Sequence, residues 1–320
     1  MEQKSELTSL RSRIDFRDFG IVGSFVSLCL VLSLLRHDFF SHENIVNVLD
    51  QSSAVGIIAC GETLCIIAGL FDLSVSSIAA FCGIIMIDLS NKIGLWPGVI
   101  IGLALGVTMG AINGLIVHYG RINPLIATLA SGILFGGLAT VFVNGMIISA
   151  NHASFGVFGE VSPLDGVTVP TWLWLGVIIL TWILLSGTTF GRSLFALGGN
   201  PQAARLSGLR ISFIRISVYA ISGGCAAIGG LIIASQTLNA DPTMASGLDL
   251  TAIAAAVVGG TSISGGEGAI WRAAIGVLIL TVISNGFDLL GLNSNYLLVV
   301  QGAIIIFAVG FDQLLRRRAT

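Results

Sequence analysis

The chain has 320 residues, of which 54% are hydrophobic and only 10% charged, with a formal net charge of −2. A soluble domain carries roughly 25% charged residues, so this composition cannot cover an ordinary water-facing surface. A soluble globular protein is excluded, the lipid bilayer becomes the expected surroundings, and no nucleic-acid partner is expected.

Lys4, Arg11, Arg13 and Arg17 precede the first apolar run, 19–35. The arrangement superficially matches a secretory signal, but the run is longer than a typical signal core. Arg36-His37-Asp38 follows it in place of a small-residue cleavage site. An uncleaved first span is therefore expected. Further uncharged stretches occupy 93–117, 122–159, 166–191, 216–240 and 289–311. About 20 apolar residues cross the hydrocarbon core as a helix. None of the stretches alternates in the manner of a barrel strand, which leaves helices to satisfy the backbone in lipid.

The expected fold is an all-α polytopic transmembrane bundle of about ten spans. They fall at 19–36, 45–67, 71–90, 95–117, 124–148, 171–187, 214–234, 250–261, 270–288 and 296–313. Glu62 and Asp72 interrupt the apolar pattern of the second and third spans. The eighth is short and reads as a broken or re-entrant helix. The domain layout is a cytoplasmic N-terminal segment, 1–18, a transmembrane domain, 19–313, and a cytoplasmic tail, 314–320.

Orientation follows from the basic residues. With the N-terminus inside, Lys4, Arg11, Arg13, Arg17, Arg121, Arg192, Arg205, Arg210, Arg215, Arg272, Arg316, Arg317 and Arg318 all fall on the cytoplasmic side. Only Arg36 and Lys92 fall outside. The positive-inside rule favours this arrangement, with both termini cytoplasmic. The largest cytoplasmic loop is then 188–213 and the largest external one 149–170.

Asn113-Gly114 and Asn285-Gly286 are offset by 172 residues, and Asn123 and Asn293 by 170, each set preceding a final span of five. An inverted five-span repeat is one reading of this pattern. Asn-Gly serving as a local small polar contact is the other. Gly102, Gly106, Gly110 and Gly114 recur every fourth residue, a smooth face suited to close helix packing inside the subunit or, alternatively, between subunits. The five cysteines form no CxxC pair and read as small buried hydrophobes.

Of the two lysines, Lys4 and Lys92, neither follows a glycine in a phosphate-loop pattern, so ATP hydrolysis by that route is not expected of this chain. The run GGTSISGGEG at 259–268 resembles such a loop at first sight, yet it lacks the lysine and reads as a tight turn between membrane helices. His37, His42, His118 and His152 are scattered without metal-ligand spacing. No nucleophile motif is present, so no catalytic residue and no metal site are expected. Glu62, Asp72, Asp88, Asp249, Glu267 and Asp288 lie in or beside the spans, most of them near expected span ends where water reaches. Glu62 is the deepest, and a broken helix donating to it is the alternative to a solute contact.

Four motifs in order carry a family resemblance. GLFDLSVSS at 69–77 resembles the GG-I-DLSVGS signature of ribose-type permeases of bacterial ABC importers, departing at Leu70 and Ser76. NPLIATL at 123–129 is similar to PAFIATL. FGR at 190–192, ALGGN at 196–200 and AARLSG at 203–208 resemble the loop FGR…A-GGN–AA-LSGI. AIAA at 252–255 followed by VGGTS at 258–262 and GGEG at 265–268 resembles AIAAVVLGGTS–GG-G.

The resemblance implies the permease subunit of an ATP-driven importer that moves a monosaccharide or related polyol across the bacterial inner membrane. It implies a second permease subunit, identical or paralogous, two ATP-binding-cassette subunits and a periplasmic sugar-binding protein. ATP and Mg would belong to the partner ATPase, with no cofactor on this chain. By analogy the loop 188–213 is the element that couples to the ATPase, through Arg192, Gly198, Gly199, Asn200, Ala203, Ala204, Arg205, Ser207 and Gly208. Its own residues suit this: arginines, a helix break at Gly198-Gly199 and Pro201, and a short helix-compatible stretch at 202–206. A solvated connector is the plain alternative.

A neutral sugar asks for hydroxyl and amide partners with aromatic walls, which points to Thr63, Asn113, Asn285 and Phe287, with Glu62 and Asp72 beside them. An ion-coupled secondary sugar transporter, using Glu62 or Asp72 as the coupling carboxylate, is the alternative function. Asp72, with Ser74 and Ser76 next to it, is expected to cap a helix start.

Overall fold

The computed structural model describes residues 16–160, 162 and 166–293, together with 296, 297, 299, 300, 302–304, 306 and 310. Lys4, Arg11, Arg13, Asp165 and residues 316–318 lie outside the described residues, as does much of the expected tenth span. The chain is helical: α1 Phe16–Leu35, α2 His42–Ile67, α3 Val75–Ile93, α4 Leu95–Tyr119, α5 Pro124–Phe142 and α6 Val169–Gly187. Then follow α7 Thr189–Gly199, α8 Pro201–Leu206, α9 Ile211–Thr237, α10 Leu248–Val258 and α11 Ile270–Leu290. Two short strands, β1 Ile148–Ser149 and β2 Asn239–Ala240, pair antiparallel at one end of the bundle.

Six helices, α3, α4, α5, α6, α9 and α11, are long and apolar enough to cross a membrane. α2, at 26 residues, is about 39 Å long. The chain is thus an all-α polytopic membrane bundle. Most expected boundaries shift by a few residues, and three of the shifts have a local reason. The fifth span ends at Phe142 instead of 148, because Asn144 (φ 52°) and Gly145 (φ 70°) turn left-handed and the Gly145 amide caps Thr140 O at 2.9 Å. The third span begins at Val75 instead of 71. α2 closes on Gly69 (φ 72°), whose amide bonds Ile66 O while Leu70 N bonds Cys65 O, both at 2.9 Å. The eighth span is a half-length helix of 11 residues that ends in the same way at Gly260 (φ 79°).

The glycine stripe packs within the subunit. A Cβ on Gly106 would strike Ala227 and Gly223, one on Gly110 would strike Tyr219 O, and one on Gly114 would strike Ile216, all on α9. Absence of side chains lets α4 and α9 approach backbone to backbone, where dispersion replaces the missing hydrophobic driving force. All five cysteines are free and four are buried, as small core residues.

These contacts fix which ends lie together. Gly114 meets Ile216, Gly198 meets Ile67, and Gly268 meets Ile67 and Thr261. One end of the bundle therefore gathers Arg121, Arg192, Arg205, Arg210, Arg215 and Arg272. The opposite end holds the β1–β2 pair, Lys92 and Arg36, whose guanidinium donates to Leu289 O at the close of α11.

Candidate functional site

Between α2 and α3 the chain runs non-helical through residues 68–74, inside the bundle. Residues 68–70 still bond back to the last turn of α2, but beyond them the backbone polar groups have no ladder to join, and each left unpaired would be costly in lipid. Side chains from four helices replace the ladder. Asp72 N donates to Glu62 Oε1 (3.1 Å) and Leu73 N to Thr128 Oγ1 (3.1 Å), while Tyr219 Oη donates to Phe71 O (3.0 Å). Asp72 accepts three bonds: Ser74 N (3.1 Å) and Ser74 Oγ (2.5 Å) on Oδ1, and Ser222 Oγ (3.0 Å) on Oδ2. Asn113 Nδ2 completes the group by donating to Ser74 Oγ at 2.7 Å.

Glu62 and Asp72 are both fully buried at 0% exposure, so Asp72 is not the water-reached span-end residue that its position suggests. The backbone break, not the sequence distance from the span end, sets its depth. No lysine or arginine pairs with either carboxylate among the described residues. Asp72 has both carboxyl oxygens occupied by donors. Glu62 Oε2 and Asn113 Oδ1 have none.

The expected residues divide. Glu62, Asp72 and Asn113 come together in this buried core. Thr63 donates to Ala59 O of its own helix at 2.6 Å, and Asn285 exchanges bonds with Asn44 near the opposite end, at 2.7 and 3.1 Å. Phe287 lies one half-turn beyond Asn285 on α11. Thr128, Tyr219 and Ser222 belong to the core but were not expected. Tyr219 and Ser222, three residues apart in an apolar helix, are the signal that could have found two of them.

Ser76, where the resemblance departs from glycine, is used. Its Oγ donates to Asp249 Oδ1 (2.9 Å) and accepts from Asp249 N (2.8 Å), tying the start of α3 to the start of α10.

A second site lies directly under this core, at the arginine-rich end. Thr188 Oγ1 caps α7 by accepting from Gly191 N (3.2 Å). Gly198 and Gly199 do not break the helix, as expected from composition, but form its last turn. The break comes at Asn200, whose Oδ1 accepts from Gln202 N (3.1 Å) and Ala203 N (2.9 Å), with Pro201 opening α8. Asn123 and Pro124 open α5 by the same Asn-Pro device.

Gly198 is pressed against Ile67 O and Gly266 N, which themselves bond at 2.8 Å. A Cβ on Gly265 (φ 81°) would lie 3.0 Å from Gly69 Cα, and one on Gly266 (φ 76°) 2.8 Å from Gly199 Cα. The end of α2, the end of α7 and the α10–α11 turn thus meet through glycine backbones, and three of the four motifs converge. Ala204 is buried beneath α8, whereas Arg192, Ala203, Arg205, Ser207 and Gly208 are exposed. Leu206, not singled out in the sequence, is 89% exposed at the end of α8.

Residues 44–309 match the family described as branched-chain amino acid transport system / permease component. The chain is 39% identical over 290 residues to the ribose import permease protein RbsC of Escherichia coli K12, covering 89% of this chain and 90% of that one. It belongs to the ribose-type permease family of bacterial ABC importers. RbsC of Bacillus subtilis is 38% identical over 296 residues, with 91% of each chain covered. The L-arabinose transport system permease protein AraH of Escherichia coli is 36% identical over 298 residues, 92% of this chain and 90% of that one. No solved structure matches. As a permease the chain is a multi-pass protein of the membrane, not an enzyme in itself.

Proposed function

We propose that the chain is the membrane-spanning subunit of an ATP-driven importer that moves a monosaccharide delivered by a periplasmic binding protein. The observation that carries the reading is the similarity, at 34–39% identity over 89–92% of this chain, to permeases named for ribose, L-arabinose and D-allose. On this reading two permease subunits, identical or paralogous, pair with two ATP-binding cassettes, which hold the ATP and Mg. This chain binds no cofactor. It crosses the inner membrane ten times as two inverted sets of five spans. Residues 1–18 and 314–320 are cytoplasmic, and 19–313 form the transmembrane domain.

The arginine-rich end is cytoplasmic and α7–α8 meet the ATPase there. The glycine contacts of Gly198, Gly265 and Gly69 then relay movement of α7 to the α2–α3 break. Glu62, Asp72 and Asn113 hold that break in shape. Three intrachain bonds on Asp72 support such a structural role over ion coupling.

The deciding experiment reconstitutes the chain with its ATPase and binding protein in liposomes and follows labelled D-ribose, L-arabinose and D-allose. Uptake of at least one sugar is expected to require ATP and the binding protein and to survive an ionophore. Uptake without ATP that collapses with the ionophore would transfer the protein to the secondary transporters. Orientation is checked separately in intact cells, with an impermeant thiol reagent and the five native cysteines replaced. His152→Cys is expected to label from outside and Gln202→Cys only after lysis. The reverse pattern would invert the map.

A further inference from the structure

Two of the grooves on the surface of the bundle differ in chemistry. One, of about 390 Å³ between α6 and α9, is walled by Leu180, Leu184, Ile221 and Ile228, and its Thr181 donates to Val177 O at 2.6 Å. The one side-chain hydroxyl in its lining is thus satisfied, as suits an acyl chain. The other, of about 200 Å³, lies between α2, α10 and α11 and is lined by Gln51, Thr251, Thr281 and Ser284 between the apolar walls Val55 and Leu280.

Hydroxyls on these helices generally donate to the carbonyl one turn back, as Ser52, Ser53, Thr63 and Thr251 do. Gln51, Thr281 and Ser284 make no side-chain hydrogen bond within the described residues. A polar side chain facing hydrocarbon without a partner costs on the order of 1–3 kcal/mol, so three in one groove call for water or a hydroxylated ligand. The same faces continue the polar strip outward, through exposed Asn47 one turn before Gln51 and exposed Asp288 one turn after Ser284. Thr251 lies in the first turn of the half-length helix α10, so the strip ends part-way through the bundle. Gln51 and Ser284 lie on the halves of α2 and α11 remote from α7 and α8.

We propose that this groove is the sugar-contacting stretch of the translocation path, entered from the end opposite α7–α8. The inference rests on the function proposed above. The amide of Gln51 and the hydroxyls of Thr281 and Ser284 both donate and accept, so they match a neutral polyol in any rotation. Val55 and Leu280 offer a surface to its C–H face. Such contacts are few and uncharged, which suits a site that has to release its cargo.

The test uses the complete importer. In the cysteine-free background Thr281→Cys and Ser284→Cys are expected to react with a water-soluble, charged thiol reagent at least tenfold faster than Leu180→Cys in the apolar groove. Equal rates would show a lipid-facing groove and overturn the proposal. The double variant Thr281→Val with Ser284→Ala keeps the shape of the groove and removes its hydroxyls. Sugar uptake is expected to fall at least tenfold with unchanged assembly and expression, whereas Thr281→Ser retains most of it. Uptake by the double variant at the parental rate would also overturn the proposal. A parent importer that takes up none of D-ribose, L-arabinose and D-allose removes the sugar assignment along with the proposed function. The labelling then still reads whether the groove is wet.

Discussion

Asp72→Leu is expected to abolish the folded permease, whereas Asp72→Asn is expected to leave most of it intact. In the native chain one carboxylate accepts Ser74 N, Ser74 Oγ and Ser222 Oγ, all within a fully buried core. Leucine is close in size but accepts nothing. Each buried donor deprived of its partner costs about 1–3 kcal/mol, so three together consume a large part of the usual stability of a domain. Asparagine keeps Oδ1 for both Ser74 donors, and its amide can donate to Ser222 Oγ, whose hydroxyl turns to accept. The measurement is monodisperse yield from detergent together with thermal unfolding of the purified protein. Equal melting of the leucine variant and the parent would show that the 68–74 break is held by something other than this carboxylate. Normal folding of Asp72→Asn with complete loss of uptake would restore a charge-dependent role.

That contrast shows what a linear reading reaches. The helices follow from apolar runs and their glycine or asparagine ends, because span length and helix termination are local physics. The Asp72–Ser74 bond inside the break is also local, since the two are two residues apart, but Asp72 does not cap a helix start as expected: α3 opens after Ser74 with no side-chain cap, and Ser76 turns to Asp249. The partners that make the core a unit, Glu62, Asn113, Thr128, Tyr219 and Ser222, come from four helices, and only the packing of those helices brings them together. Thr63 and Asn285 carry suitable chemistry, yet one hydroxyl points to its own helix and the other amide to Asn44. Residue type alone does not decide between these outcomes.

The glycines divide in the same way. The fourfold spacing on α4 announces a close contact, but the identity of its partner, α9, is a fact of the fold. Gly198-Gly199, taken alone, reads as a break, and only the approach of Ile67 and Gly266 shows that the helix continues because a bare backbone is needed there.

Leu206→Asp and Ala203→Trp are expected to release the ATPase while leaving the membrane bundle folded. α8 turns only Ala204 into the subunit and presents Ala203, Arg205 and Leu206 outward, so neither change disturbs a buried contact. A leucine 89% exposed at the arginine-rich end, beside a small residue, has the form of an anchor that another protein covers. Loss of a central apolar anchor costs about 2 kcal/mol or more, roughly a thirtyfold weakening, and a buried carboxylate in its place adds desolvation to that. Tryptophan at 203 acts differently, by filling the space that a close-fitting groove would need. Gly208 is the poorer place for such a block, because its φ of 81° would strain any side chain and confuse docking with folding. The measurement is co-elution of the ATPase with each purified variant, followed by ATP hydrolysis in liposomes and by uptake of sugar. Both variants should keep the parental melting temperature and lose coupled hydrolysis. If both co-elute with the ATPase and transport at the parental rate, α8 is a solvated connector, and the relay through Gly198 to the α2–α3 break loses its input.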